Sequence, residues 1–357
     1  MTNSNEKKHA VLPALDGVRG LACLLVIFDH AGYNNFLPLV VGIGTFGVMI
    51  FFALSGFLMA YHYLPDVQSA RYWLKFIAHR FVRLYPPFVV ALLGYLILLG
   101  HMPSGFPFAN PTAGFADLIR SLSLSEYRGV LWTIPVELKF YLFYPAIAWF
   151  IALRSGKAKT AGITIIGVGL AWFYLQGTAT SILLVSYFAF FAAGAAAGAA
   201  YKSNFLTKVK TVYWNILAGV CVVANIFVVY DFRYLNIAGQ HIWTYGWAYA
   251  PLLALSLVSI AKSKGAISRL FAHPASRWIG ERSYSVYLVH FFVIQAFVVA
   301  AIPVSWFILP AVFLVALPFY YFIERPSARL AKRAGRFFGR EPQVVLATAP
   351  EALNRTE

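Results

Sequence analysis

Two ionisable residues, Arg19 and His30, interrupt the first apolar stretch of the sequence and stand eleven positions apart. In an α-helix, eleven steps return to nearly the same face about 16 Å farther along the axis. Both side chains would therefore lie on one stripe. Imidazole titrates near neutral pH and can take a proton from a hydroxyl or accept an acyl group. We therefore predict a catalytic role for His30 and assign Arg19 to the same site.

Each of these residues also has a purely structural interpretation. Asp16 precedes Arg19 by three positions, so the two could form an interfacial ion pair on one helix face. His30 could be a hydrogen-bonded structural histidine. Asp29 is adjacent to His30 but points about 100° away around the helix.

Glu137 and His290 are two further ionisable residues within apolar stretches. A charge in hydrocarbon is costly and marks either a functional site or a buried pair. Glu137 is a third catalytic candidate, and its alternative is an ion pair with Arg19 or Lys139. For His290 we favour a lone histidine that is hydrogen-bonded to a neighbouring helix.

Basic side chains recur every four positions in a segment between the second and third apolar stretches. They are Arg71, Lys75, His79 and Arg83, with Arg80 beside them. This spacing predicts an amphipathic helix over residues 70–84 at the cytoplasmic interface. Guanidinium groups bind phosphate oxygens bidentately, so Arg80 and Arg83, with Lys75, are candidates for holding coenzyme A phosphates. An ordinary interfacial anchor is the alternative.

The composition indicates an all-α protein in lipid. Of 357 residues, 60% are hydrophobic and 12% charged, and the mean hydropathy is +0.69. Runs of about 20 apolar residues predict transmembrane helices. Ten such runs are found, at roughly 12–33, 43–63, 86–101, 130–151, 160–176, 180–201, 211–230, 242–261, 283–302 and 304–323. The first carries no evident cleavage site, so we expect a retained anchor helix.

The distribution of basic residues predicts the orientation of these spans. If the N-terminus is cytoplasmic, nearly all Lys and Arg residues fall in inside segments, and the outside loops keep only Arg120, Arg128 and Arg233. The positive-inside rule then places both termini in the cytoplasm. Residues 1–11 form the predicted N-terminal tail, 12–324 the membrane domain and 325–357 a basic C-terminal tail. The net charge of +16 is thereby explained by anionic lipid and needs no nucleic acid.

The spacing of two glycines predicts close helix packing in the sixth apolar run. Gly194 and Gly198 lie four apart in an alanine run, a spacing that allows helix backbones to approach closely in lipid. The two cysteines, Cys23 and Cys221, lie in apolar stretches and suggest neither a disulfide nor a metal site.

Several short motifs, in order along nearly the whole membrane part, carry a resemblance. They are Leu15-Asp16-Gly17-Val18-Arg19-Gly20 with the spacing to His30, Phe51-Phe52-Ala53-Leu54-Ser55-Gly56-Phe57, Arg80 and Arg83 before Leu84-Tyr85-Pro86, Leu131-Trp132, Pro135-Val136-Glu137 with Phe140-Tyr141, Ser283 to His290, and Ile323-Glu324-Arg325-Pro326. By these motifs the chain resembles the bacterial acyltransferase-3 family of ten-helix membrane O-acyltransferases.

The resemblance implies a reaction and a location. Cytosolic acyl-CoA, usually acetyl-CoA, would be the donor and co-substrate, with no permanently bound cofactor and no metal. The acyl group would pass to a hydroxyl at or beyond the outer face of the bacterial inner membrane. Activity in the family depends on the first-helix Arg and His, here Arg19 and His30, and next on Arg80 and Arg83.

The chain departs from the family pattern at several positions. Met49 stands where many members have an acidic residue, Pro135 replaces a usual serine, and Leu138-Lys139 replaces a Glu-Gln pair. These changes bear on the role of Glu137 and on the choice of acceptor.

The expected acceptor is a hydroxyl of an exopolysaccharide, lipopolysaccharide or lipid-linked glycan precursor. A small lipophilic metabolite is the alternative acceptor. A glycan transporter or flippase is the rival from another class, since intramembrane Arg, Glu and His would then line a pathway. A catalytically inactive relative that organises a glycan assembly complex is a third possibility. The sequence does not specify the oligomeric state.

Overall fold

The computed structural model describes residues 12–34, 36, 41–63, 69–100, 115–125, 129–152, 156–230 and 242–337. Within these ranges the regular structure is helical, without a strand, which confirms the predicted all-α class. The helices are α1 (Pro13–Gly32), α2 (Ile43–Tyr63), α3 (Ala70–Gly100), α4 (Phe115–Leu122), α5 (Thr133–Ala152), α6 (Gly156–Leu175), α7 (Ala179–Lys202), α8 (Thr211–Tyr230), α9 (Ile242–Lys262), α10 (Ala266–Ala272), α11 (Pro274–Val299), α12 (Ile308–Phe319) and α13 (Arg325–Phe337).

The helices that could cross a membrane are long and apolar. Seven in the described ranges meet both conditions, or eight if α9 and α10, which meet at an 86° bend, count as one span. The predicted number of ten is therefore not established. The first helix, α1, is not among the seven, because Asp16, Arg19 and Asp29 add three charges to its 20 residues. The predicted cytoplasmic tail 1–11 lies outside the described residues.

Two helix boundaries differ from the predicted pattern. The basic segment at 70–84 and the third span are one continuous helix, α3, which passes through Pro86 and Pro87. At the other end, α12 continues through a π-helical turn at Tyr320–Glu324 into α13. The first part of the predicted C-terminal tail is thus an amphipathic helix, and it packs against α3.

Helix α1 is the centre of the bundle, packed between α2 and α11. The contact between α1 and α11 is close because Gly280 has no side chain. A Cβ placed on Gly280 would lie 1.7 Å from the carbonyl oxygen of Asp16. A Cβ on Gly17 would similarly lie 1.9 Å from the carbonyl oxygen of Phe271. The start of α1 is therefore fixed against the start of α11, and the two helices run in the same direction from this point.

The predicted close packing at Gly194 and Gly198 is confirmed. In α7, a Cβ on Gly194 would lie 2.0 Å from the carbonyl oxygen of Ala53, and one on Gly198 would lie 2.2 Å from that of Phe57. The partner helix is α2, which places its own Gly56 equally close to Phe191. This packing holds the face of α2 that carries Ser55 in a fixed position beside α5.

Candidate active site

A polar cavity of about 340 Å³ opens among α1, α2, α3, α5 and α11, a size in the range of small-molecule sites. We call it the arginine cavity. Its charged side chains come from five helical segments, and they are Asp16, Arg19, Arg80, Arg83, Glu137, Glu281 and Glu324; His62, from α2, lies beside them. Four of the six predicted site residues, namely Arg19, Arg80, Arg83 and Glu137, thus share one cavity. Lys75 does not line it.

Helix α3 presents Arg80 and Arg83 to this cavity three residues apart, and hence on one face. The Arg80 guanidinium lies over aromatic rings, 5.1 Å from the ring centroid of Tyr63 and 5.5 Å from that of Tyr141. Cation–π contacts of this kind orient a guanidinium while leaving its N–H donors available. Within the described residues, neither arginine has a carboxylate within ion-pair distance, and Arg80 Nε has no hydrogen-bond partner.

Every carboxylate of the arginine cavity, in contrast, already has a partner. Asp16 lies 3.7 Å from Arg19, so the predicted pair forms. Glu281 pairs with Arg277 and Arg282. Glu324 accepts hydrogen bonds from the backbone N–H of Ser285 at 3.0 Å and from its hydroxyl. Arg80 and Arg83 therefore have no direct carboxylate contact in the described ranges, and their N–H donors are available to an anionic ligand.

Glu137 is held by hydroxyl groups. Its Oε1 accepts from Ser55 Oγ at 2.7 Å and from Tyr141 Oη, one turn along α5, at 2.5 Å. The alternative ion pair with Arg19 or Lys139 is absent from the described ion pairs. Lys139 instead donates to Thr180 and Ser181 of α7, because it points to a different face of α5. Glu137 thus contributes a fixed negative charge to the cavity.

His30 lies at the last turn of α1, beside a second histidine. Its ring centroid is 5.1 Å from that of His290 on α11, and we call the two the histidine pair. His30 Nδ1 lies 2.8 Å from the carbonyl oxygen of Val26, and His290 Nδ1 lies 2.6 Å from that of Tyr287. A carbonyl only accepts, so Nδ1 carries the proton in both neutral rings and Nε2 presents a lone pair. That is the form a general base requires.

The histidine pair and the arginine cavity are separate, and Tyr287 lies between them. Tyr287 lines the cavity, and its ring centroid is 5.4 Å from that of His290. Its hydroxyl donates to the carbonyl oxygen of Val130 at 2.6 Å, which fixes the ring. The structure therefore does not place His30 in the cavity with Arg19, although both lie on α1.

His290 differs from the structural histidine favoured by the sequence. Its hydrogen bond is to its own helix, at the carbonyl of Tyr287, and its buried Nε2 has no partner in the described part of the chain.

Sequence reasoning assigned no role to Glu324, to Tyr287 or to the hydroxyl partners of Glu137, although all of them lie in the motifs that carry the resemblance. Glu324 is an acidic residue at the end of the last apolar stretch, and the π-helical turn that carries it is a feature often seen at functional sites. The position of Tyr287 between the cavity and the histidine pair depends on helix packing, which the sequence motif does not give.

Known proteins similar to this chain share its membrane part. Residues 12–325 match the family model described as an acyltransferase domain. The peptidoglycan O-acetyltransferase OatA of Listeria monocytogenes is 24% identical over 329 residues, which cover 82% of this chain and 50% of that protein. A putative O-acetyltransferase of Staphylococcus aureus strain COL is 26% identical over 332 residues, covering 81% and 52%.

A third relative is acyltransferase MdmB of Streptomyces mycarofaciens, which is 24% identical over 194 residues, covering 49% of this chain and 46% of that protein. The chain spans about half the length of these curated relatives. No solved structure matches. The family model covers most of the chain and includes the arginine cavity and the histidine pair, so the protein belongs to the acyltransferase-3 family.

Proposed function

We propose that the protein is a membrane O-acyltransferase that moves an acyl group, most simply acetyl, from cytosolic acyl-CoA to a hydroxyl of a cell-surface glycan or its lipid-linked precursor. The observation that carries this proposal is the pair of arginines without carboxylate partners, Arg80 and Arg83, in a cavity separated by one tyrosine from the histidine pair. O-acetyltransferases among the relatives support the reaction class.

The proposal that acyl-CoA is the donor is based on the charges of the cavity. Coenzyme A carries several phosphate groups, and arginine binds phosphate through two parallel N–H donors. Arg80 and Arg83 supply such donors on one face of α3. The pantetheine arm would extend from there past Tyr287 towards His30. Arg19 on α1 lines the same cavity and would add a third guanidinium group to donor binding, since about 16 Å along α1 separates it from His30.

The chemical step uses His30 Nε2 as general base. The acceptor hydroxyl oxygen attacks the acyl carbonyl carbon, its proton passes to Nε2, and the carbon–sulfur bond breaks. The coenzyme A thiolate then takes up that proton and leaves as the thiol. In a two-step variant, Nε2 first accepts the acyl group and then transfers it to the acceptor hydroxyl, with the same overall reactants and products. Either route needs Nε2 unprotonated, as the hydrogen bond from Nδ1 to Val26 provides.

The proposal that a glycan is the acceptor is based on the names of the similar proteins. OatA of Listeria monocytogenes is named for peptidoglycan, which is a glycan outside the cytoplasmic membrane. We accordingly place the acceptor at the outer end of α1, with both termini of this chain in the cytoplasm and the protein in the inner membrane.

The test is the acetate ester content of surface polysaccharide, measured by proton NMR. A deletion strain is complemented with wild type, with His30→Ala, or with His273→Ala as the control, because His273 is exposed at the start of α11. We expect esters with wild type and the control and none with His30→Ala. Equal ester content in all strains, with glycan export altered instead, would support the flippase.

A further inference from the structure

We propose that His290, with Tyr95, forms the binding site for the acceptor, a polyhydroxyl ligand, beside His30. This inference rests on the proposed function and adds to it a location and a chemical class for the acceptor. His290 would contact the substrate directly through one of its hydroxyl groups.

The first observation is the state of His290. Its side chain is 0% exposed, and its Nε2 has no hydrogen-bond partner among the residues the structure describes. Its Nδ1 donates to Tyr287, so Nε2 is a pure acceptor. A buried acceptor without a donor is unfavourable and calls for an explanation such as a missing ligand. The missing group must carry a donor proton.

The second observation is Tyr95 on α3. It is 1% exposed, and its hydroxyl also has no partner in the described ranges. Its ring lies parallel to that of Phe291, with centroids 6.1 Å apart, and Phe291 also contacts His30 at 5.4 Å. Tyr95 and His30 thus pack on the same phenylalanine, next to His290 in the sequence. A hydroxyl without a partner can both donate and accept.

The third observation is the chemistry of the two groups. His290 offers an acceptor nitrogen, and Tyr95 offers a hydroxyl that can donate and accept. The phosphates of coenzyme A do not fit these groups, because an acceptor repels an anion. A chain of alcohols does fit, since each hydroxyl both donates and accepts.

The geometry also assigns different roles to the two histidines. Their ring centroids are 5.1 Å apart, so a polyol that places one hydroxyl on His290 Nε2 can bring a neighbouring hydroxyl to His30 Nε2. The reacting proton goes to His30, as in the proposed step, while His290 holds the ligand. Loss of His290 should therefore weaken acceptor binding and leave donor binding unchanged.

Steady-state kinetics test this division of roles. In protein purified into lipid nanodiscs, acetyl transfer from acetyl-CoA to chitotetraose is compared for wild type, His290→Gln, Tyr95→Phe and the control His273→Gln. We expect the KM for chitotetraose to rise at least tenfold in His290→Gln and severalfold in Tyr95→Phe. The KM for acetyl-CoA should stay within twofold. An unchanged chitotetraose KM, or a matching rise for acetyl-CoA, would overturn the proposal.

The Tyr95→Phe variant distinguishes a loss of acceptor binding from a loss of folding. It removes only a hydroxyl that has no partner, so the unfolding temperature should stay equal or rise while acceptor use falls. A variant that is less stable and equally active would show that the hydroxyl is structural, and would contradict the proposal.

A binding measurement separates this inference from the proposed function. The NMR signal of His290, in protein with isotope-labelled histidine, is assigned by its loss in His290→Gln. Chitotetraose, or polysaccharide from the deletion strain, should shift this signal, and coenzyme A alone should not. A shift without acetyl transfer would refute the proposed function and retain the site. A His290 signal that responds to neither glycan would refute the site.

Discussion

At the scale of single residues, the main feature is a division between paired and unpaired charges. Asp16, Glu137 and Glu324 each have a partner on the protein, whereas Arg80 and Arg83 have no carboxylate within ion-pair distance in the described ranges. Buried charges are expensive unless paired. Guanidinium groups without a direct carboxylate contact can bind an anionic co-substrate, and the residues of the site can be tested one at a time.

Arg80→Lys tests the donor site. Lysine keeps the charge but loses the planar group that lies over Tyr63 and Tyr141, so bidentate phosphate contacts are lost. We expect the KM for acetyl-CoA to rise about tenfold, or ~1.4 kcal/mol, with a smaller change in kcat. Arg269→Lys, at an exposed position in α10, is the matched control. An unchanged KM in Arg80→Lys would exclude a bidentate phosphate contact.

Glu137→Gln tests whether the charge of Glu137 matters. The Gln carbonyl oxygen can still accept from Ser55 and Tyr141, so the unfolding temperature should stay within about 3 °C of wild type. We expect acetyl transfer to fall at least about tenfold, because the cavity loses its fixed negative charge beside the arginines. Glu137→Ala should also destabilise the fold by roughly 1–3 kcal/mol, since it leaves buried hydroxyls without an acceptor. Full activity of Glu137→Gln would limit this residue to a structural role.

The sequence predicts the arginine cavity better than it predicts the histidine pair. Arg19 and Glu137 were identifiable as costly residues in apolar stretches, and Arg80 and Arg83 as guanidinium groups suited to phosphate in a basic interfacial segment. That His30 faces His290 and not Arg19 was not predictable. Helical periodicity gives the face of a side chain but not the neighbouring helix against which the face packs.

At the scale of elements, backbone contacts at glycine set the positions of the site helices. Gly280 brings α11 against α1, and Gly194 brings α7 against α2. The spacing of small residues predicted close packing at Gly194. The contact of Gly280 with α1 was not predicted, although Ser276 and Gly280 are also four positions apart. The continuous course of α3 was also unpredicted, because two consecutive prolines usually end a helix.

Gly194→Ala tests the contact between α2 and α7. The added Cβ would lie 2.0 Å from the carbonyl oxygen of Ala53, so the helices must move apart. We expect a loss of about 1–3 kcal/mol, seen as a lower unfolding temperature in detergent. Gly219→Ala is the control, because nothing lies within 4 Å of its added Cβ. Equal unfolding temperatures for the two variants would show that the contact carries no stability.

At the scale of the whole molecule, the account requires a defined orientation. Acyl-CoA is cytosolic, so the arginine cavity must open inward, and the histidine pair, about 16 Å farther along α1, must lie towards the outer side. The distribution of Lys and Arg predicts this orientation. Composition can predict orientation because the charge of the loops directs membrane insertion. The number of spans depends on helices such as α1, in which Asp16 and Arg19 compensate each other as an ion pair.

Cysteine labelling tests the orientation. Cys23 and Cys221 are both buried, so a single introduced cysteine reports its own side. Ser123→Cys, after α4, and Ser203→Cys, after α7, are at exposed positions. We expect a membrane-impermeant maleimide to label Ser123→Cys in intact cells and Ser203→Cys only after lysis. The reverse pattern would place the arginine cavity on the outer side and exclude cytosolic acyl-CoA.

The most direct test of the central claim is transfer by the purified protein. In lipid nanodiscs, radiolabel from acetyl-CoA that enters an O-ester of a glycan acceptor is measured for wild type, Arg83→Gln, His30→Gln and the control His273→Gln. We predict ester formation by wild type and control, a loss in His30→Gln at saturating acetyl-CoA, and a loss in Arg83→Gln that high acetyl-CoA partly restores. Undiminished ester formation by His30→Gln would contradict the account.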